Sequence, residues 1–128
     1  MIDYHLRQYL LNDSNIASYI GGDGLYALRL PQATTATSIV YGVNGGHSVP
    51  QLGSMEAVLR FEVTLYVYSA SYLQMRTLSD LVDQRLNGMT GPMGFYDVTS
   101  STINSSINTY EEELKLYRNI INLTIYTN

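Results

Sequence analysis

Leu59-Arg60-Phe61-Glu62-Val63-Thr64-Leu65-Tyr66-Val67-Tyr68 alternates apolar and more polar residues without a slip, and Ser69-Ala70-Ser71 follows it. Strict period two over this length means a strand with one buried face and one wetter face. The period then changes. Tyr72, Met75, Leu78, Val82 and Leu86 recur at helical spacing, with Ser69 or Ser71 as the cap and Gly88 as the stop. The spacing predicts a strand from about Ala57 to Tyr68 feeding the longest helix of the chain, packed across the sheet.

Working outward toward the N-terminus, Ile2, Leu6, Tyr9 and Leu10 form one helical stripe, with Asp3 at its start. Asn12-Asp13-Ser14 breaks it. Asp13 or Ser14 then caps a short second helix carrying Ile16, Ala17 and Ile20, which Gly21-Gly22 ends. Leu25 to Leu30 reads as a short strand closed by Pro31. Ser38 to Asn44 reads as another, with Ile39, Tyr41 and Val43 on one face and Val40 on the other. From Gly45 to about Ser54 the chain reads as a mobile or partner-ordered loop.

On the C-terminal side, Met89 to Gly94 reads as a connector and Phe95 to Ser106 as a weakly alternating strand. Asn108 to Lys115 is polar. The last strand runs from about Leu116 to Tyr126, with Ile121, Leu123 and Ile125 on one face. Helices and strands do not alternate regularly, which disfavours a doubly wound parallel sheet. The expected fold is a single α+β domain over residues 1–128, a mixed or mainly antiparallel sheet of about five strands with helices on one face.

Composition narrows the function. With 128 residues the chain suits one domain with its own core. The apolar share of 45% argues against disorder, and the 14% charged share is well below the usual roughly 25%. A charge-poor surface hints at extensive subunit contact. The net charge is −4 with seven Lys and Arg, and Arg60, Arg76, Arg85, Lys115 and Arg118 are scattered singly. That supplies no basic patch for phosphates or an anionic membrane. No Cys is present, which excludes disulfides and thiol chemistry. No apolar run approaches about 18 residues, so no membrane-spanning helix is expected. The opening Met1-Ile2-Asp3-Tyr4-His5 has neither a basic leader nor an apolar run, so synthesis in a cytoplasm is expected.

Chemical motifs are weak. Gly22-Asp23-Gly24-Leu25-Tyr26-Ala27 has dinucleotide-fingerprint spacing, but it follows a helix and precedes a strand, the reverse of the required order. It reads as a turn. His5 and His47 sit on a helix and in a loop, with no carboxylate partner at ligand or triad spacing. Glu111-Glu112-Glu113 reads as a solvated turn, because adjacent side chains on an extended segment point apart. No catalytic residue, cofactor or metal is expected, so the chain is not expected to be an enzyme.

The sheet carries more information. The strands around Leu59–Tyr68 and Leu116–Tyr126 are long for a small domain, and their outer faces show Thr64, Tyr66, Tyr68, Thr124 and Tyr126. Twelve Tyr against two Phe and no Trp suit half-exposed strands and protein interfaces. Few charges and no Pro protect these strands from pairing with another chain, which favours self-association. Arg60, Glu62, Tyr66, Tyr68 and Tyr126 are the candidate subunit-interface residues.

The order of parts resembles a known family. An N-terminal amphipathic helix and a capped helix ending in Gly21-Gly22 lead into Leu25-Tyr26-Ala27-Leu28-Arg29-Leu30-Pro31-Gln32. Ser38-Ile39-Val40-Tyr41, the Leu59–Tyr68 strand with its helix to Leu86-Asn87-Gly88, and Leu116–Tyr126 follow. Over nearly the whole chain this resembles the tail terminator, or tail-to-head joining, proteins of long-tailed phages, prophages and gene-transfer particles. The resemblance implies a virion protein assembled in the bacterial host cytoplasm. Its partners would be further copies of itself in a hexameric ring, the tail tube protein, and the head connector or stopper protein. Such a ring ends tube polymerisation, joins tail to head, and passes DNA through its channel without specific binding. Glu111, Glu112 and Glu113 are the candidate lumen-facing residues. Another head-tail connector component, such as a head-completion or stopper protein, is the nearest alternative, and a small ligand-binding α+β domain is a more distant one.

Overall fold

The computed structural model describes residues 2–22, 24–49 and 58–128, the side chains of 47–49 excepted. Among the described residues three helices and six strands run in the order α1 (Ile2–Leu11), α2 (Ser14–Tyr19), β1 (Leu25–Ala27), β2 (Ser38–Val49), β3 (Val58–Ser69), α3 (Tyr72–Leu86), β4 (Gly91–Met93), β5 (Tyr96–Glu111), β6 (Leu116–Thr127). The strands form one sheet in the order β1-β2-β3-β6-β5-β4. β1 pairs parallel to β2, and every other pair is antiparallel. The fold is therefore α+β with a mixed sheet.

The alternation in β3 becomes a two-sided strand. Phe61, Val63, Leu65 and Val67 point to the helices and are buried, while Arg60, Glu62, Thr64 and Tyr66 point away. β6 supplies Ile121, Leu123 and Ile125 to the same core, opposite Leu65, Val63 and Phe61 in register. The helices bring Ile2, Leu6 and Leu10, then Ile16, then Met75, Leu78, Val82 and Leu86. All of these belong to one apolar cluster, so the helices cover one face of the sheet. A smaller cluster on the other face, built around Val40, Tyr68 and Leu116, contains no helical residue.

Local signals set the helix ends. The Asp13 carboxylate accepts from the backbone N–H of Asn15 at 3.0 Å and of Ile16 at 3.3 Å, capping α2. The Ser71 hydroxyl accepts from Gln74 N–H at 3.4 Å and starts α3. Arg85 locks α3 to α1. Its guanidinium donates to the Tyr9 carbonyl at 3.0 and 3.2 Å and lies 3.9 Å from the Tyr9 ring centre.

Five elements differ from the sequence reading. Tyr72 is half exposed and packs edge-on against Tyr117, so the inner stripe of α3 begins at Met75. The strand expected over Leu25–Leu30 ends at Ala27, because Leu28 takes a left-handed conformation with φ 67°. β2 continues past Asn44 to Val49, where a loop was expected. A register shift between Gly45 and His47 absorbs the glycines, and Gly45 at φ 108° lies against the β3 backbone where a Cβ would clash. The rest of that expected loop and the strand start at Ala57 lie outside the described residues. Finally, the connector after α3 contains β4, and β5 reaches Glu111 rather than Ser106, which brings the count to six strands.

Candidate assembly surfaces

Among the described residues no helix covers the other face of the sheet, and many of its polar side chains satisfy one another across strands. One row begins with Arg60, whose Nε donates to Glu62 Oε1 at 2.8 Å. Thr124 Oγ1 donates to Glu62 Oε2 at 3.0 Å, and Asn104 Nδ2 donates to Thr124 Oγ1 at 2.7 Å. A second row runs from Thr64 Oγ1 to Asn122 Oδ1 at 3.2 Å and from Asn122 Nδ2 to Ser105 Oγ at 2.9 Å. A third is centred on Arg118, which donates to Thr109 Oγ1 at 3.2 Å, pairs with Glu111 at 3.3 Å and lies 5.8 Å from the Tyr66 ring centre. Each row crosses from β3 through β6 to β5, because the register places Glu62 beside Thr124, Thr64 beside Asn122, and Asn122 beside Ser105.

The five candidate interface residues all point to this face. Arg60 and Tyr126 are cross-strand neighbours, and Arg60 forms an ion pair with Glu62 at 2.6 Å whose side chains are 50% and 45% exposed. Tyr66 and Tyr68 stack with ring centres 6.4 Å apart. Tyr68 is only 8% exposed, because it packs with Val40, Leu116, Tyr26 and Leu30 of its own chain. The accessible members are Arg60, Glu62, Tyr66 and Tyr126.

The three glutamates divide. Glu111 is the last residue of β5, pairs with Leu116 and is held by Arg118. Glu112 and Glu113 are exposed in the turn that returns the chain to β6, and Lys115 closes that turn at φ 55°. They project from the end of the β5–β6 hairpin.

The topology also identifies the open edges. β4 pairs only with Tyr96, Asp97 and Val98 of β5. Just beyond, Gly88 N–H donates to the Ser101 carbonyl at 2.7 Å, and the Asn87 side chain accepts from Ile103 N–H at 3.1 Å. From Asn104 to Glu111 nothing among the described residues pairs with the outer edge of β5. At the opposite edge β1 covers only Ile39 to Tyr41 of β2. Exposed apolar side chains stand near these borders: Leu28 is 80% exposed, Phe95 95%, Leu73 74% and Ile107 53%. The sequence reading missed all four. Phe95 had been read as the start of a strand, and exposure at a turn leaves no periodicity to detect.

The His5 ring packs among aromatic side chains. The His5 ring lies 5.1 Å from Phe95 and 5.9 Å from Tyr96, centre to centre, in edge-on contacts. His47 is a backbone partner of Arg60 in the β2–β3 ladder. Among the described residues no three His, Asp or Glu side chains converge as for a metal ion, and no helix is long and apolar enough to cross a membrane.

The described residues thus form a sheet with one open polar face and two edges that they leave unsealed. Residues 5–128 match the family model described as tail completion protein gp17, and the chain belongs to that family. It is thus a structural component of a phage-type tail and of the virion. The fold is shared with a chain of the virion of a native gene transfer agent particle, at a TM-score of 0.73 and 14% identity over 94% of this chain and 90% of that one. No curated protein sequence matches.

Proposed function

We propose that the protein closes into a head-to-tail ring of about six copies at the head-proximal end of the tail tube, where it ends tube growth and joins the tail to the head connector. Membership of the tail completion family supports the position. The observation that carries the ring is the pair of open edges on opposite sides of one sheet, β5 beyond Ile103 and β2 beyond β1. Contacts between two different surfaces of the same chain are heterologous, and a heterologous contact closes into a ring when its rotation allows. The accessible part of the proposed interface is Arg60, Glu62, Tyr66 and Tyr126, with Tyr68 supporting it from beneath.

The lumen in this reading receives the acidic turn of Glu111, Glu112 and Glu113. Carboxylates facing the passage keep DNA from sticking, because affinity for DNA comes from neutralised phosphates. The protein acts as a scaffold and not as an enzyme. Its partners are the tail tube protein on one side and the head connector or stopper on the other.

Purified protein added to isolated tail tubes tests this. Capping of one tube end in electron micrographs, with a ring mass near six chains by light scattering, is the expected result. Binding to DNA-filled heads while ignoring tubes would replace the terminator role with that of a stopper. A single chain that engages neither would end the assembly reading at this position.

A further inference from the structure

Two features at opposite corners of the molecule fit each other. The first is Phe95, at the tip of the β4–β5 hairpin and 95% exposed. Its mounting is firm. Gly94 takes φ 62°, and the His5 ring occupies the space where a Cβ would stand. The Phe95 ring rests edge-on against His5 at 5.1 Å. Only glycine lets the hairpin lie this close to α1. The result is a large apolar side chain presented to solvent on a braced turn, with the exposed carboxylate of Asp97 two residues on.

The second is a groove on the face without helices. Leu28, Leu30, Pro31, Val40, Tyr66 and Tyr68 line much of it, and it encloses about 400 Å³. Leu28 separates it from a neighbouring depression of about 200 Å³ over Gly42. Leu28 itself is a bulky residue held at φ 67° and 80% exposed, its side chain resting where Gly42 has none. Positive φ in a residue other than Gly is uncommon and tends to mark functional positions. A cavity of about 150 Å³ suffices to hold a benzene ring. Arg29, exposed on the rim, belongs to neither ion pair found among the described residues.

Phe95 cannot reach the groove of its own chain. Phe95 lies at the β4–β5 edge, on the helix side, near the end of the sheet where Leu59 faces Thr127. The groove lies near the β1 edge, on the opposite face, at the end marked by Tyr68 and Arg118. Nine residue steps along β3, from Leu59 to Tyr68, separate these ends, about 30 Å at strand rise. We infer that the occupant is a second copy: Phe95 of one chain enters the Leu28–Tyr68 groove of the next, with Asp97 beside Arg29. Knob and socket are different surfaces on diagonal corners, so each copy that donates a Phe95 still offers a groove. This inference rests on the ring reading for its setting and specifies the contact that would repeat around it. A buried aromatic anchor in a pocket is the usual centre of such an interface.

Sedimentation equilibrium of the full chain tests it, using Phe95→Ser, Leu28→Glu and their equimolar mixture, each first shown by circular dichroism to retain its fold. Both positions are exposed, so folding is expected to survive. Each variant alone should weaken association by roughly 30-fold or more. The mixture should recover a two-chain species and stop there, because one knob and one socket remain intact. A ring that both variants form as readily as the native chain would overturn the contact while leaving the ring standing. Native assembly that ends at two copies, and is abolished by both variants, would uphold the contact and remove the ring. If the native chain stays single at every concentration, the variant Asp97→Cys/Arg29→Cys decides. An intermolecular disulfide on oxidation supports the contact, and its absence overturns it.

Discussion

The two faces of β3 and β6 are made by alternate residues of the same paired strands, yet they do different work. On the helix side, Leu65, Leu123, Val63 and Ile121 are almost wholly buried and meet the stripes of α1 and α3. On the other side, Thr64, Asn122, Glu62 and Thr124 bind one another across the strands. The buried face draws stability from apolar area removed from water. The open face has little area to remove, so its hydrogen bonds mainly keep the polar groups satisfied while leaving them available. Such a face loses little on exposure and can meet a partner or a water-filled channel without refolding. The family membership gives that division a purpose, since a tail completion protein must be stable as a subunit and then present surfaces for assembly.

The comparison breaks most visibly at the core. Leu65→Ala should cost about 2–5 kcal/mol, read as a lower urea midpoint with an unchanged slope. A cost under about 1 kcal/mol would mean the two faces are not energetically distinct. Asn119 sharpens the boundary between them. It is a fully buried polar residue on the helix side, donating to Ser106 at 3.1 Å and accepting from it at 3.3 Å, and it also bonds Asn108. Asn119→Ala strands those partners and should cost about 1–3 kcal/mol. Loss of the Asp13 cap by Asp13→Ala should cost roughly 1 kcal/mol, a local helix effect independent of either face. On the open face, Arg60→Ala removes a half-exposed ion pair and should shift subunit stability by about 0–1 kcal/mol. The same substitution is expected to lower the mass measured on tail tubes, because Arg60 belongs to the proposed contact surface. Equal effects on folding and on assembly would contradict the division of labour.

Legibility followed the range of the interaction that decides each feature. The alternation of Leu59–Tyr68 and the stripe of Met75, Leu78, Val82 and Leu86 are local patterns, and both produced the elements they announce. The caps act within one turn, and the sequence narrowed each to two residues, Asp13 or Ser14 and Ser69 or Ser71, of which Asp13 and Ser71 make the capping bonds. The long β5 was cut short in the sequence reading because its polar Ser, Thr and Asn residues lack a buried side over much of its length. The β2 extension was hidden by Gly45-Gly46, a loop signal that a register shift overrides.

The candidate surfaces divide the same way. That Arg60, Glu62 and Tyr66 share a face follows from period two alone, and Tyr126 joins them through pairing in the β3–β6 ladder. That Tyr68 is covered while Tyr66 is not depends on the segment after β1 folding back over β3, a contact between residues some forty positions apart.

By itself the sequence determined the three helices, the strongly alternating strands around Leu59–Tyr68 and Leu116–Tyr126 with their apolar sides, and that no cysteine chemistry takes place. Those properties depend on residues within a few positions of one another. Only the tertiary structure decided the strand order, the open edges at β5 and β2, and the diagonal placement of Phe95 and the Leu28 groove. Each depends on which distant segments pair, and pairing is selected by the joint burial of a whole face rather than by any one stretch of chain.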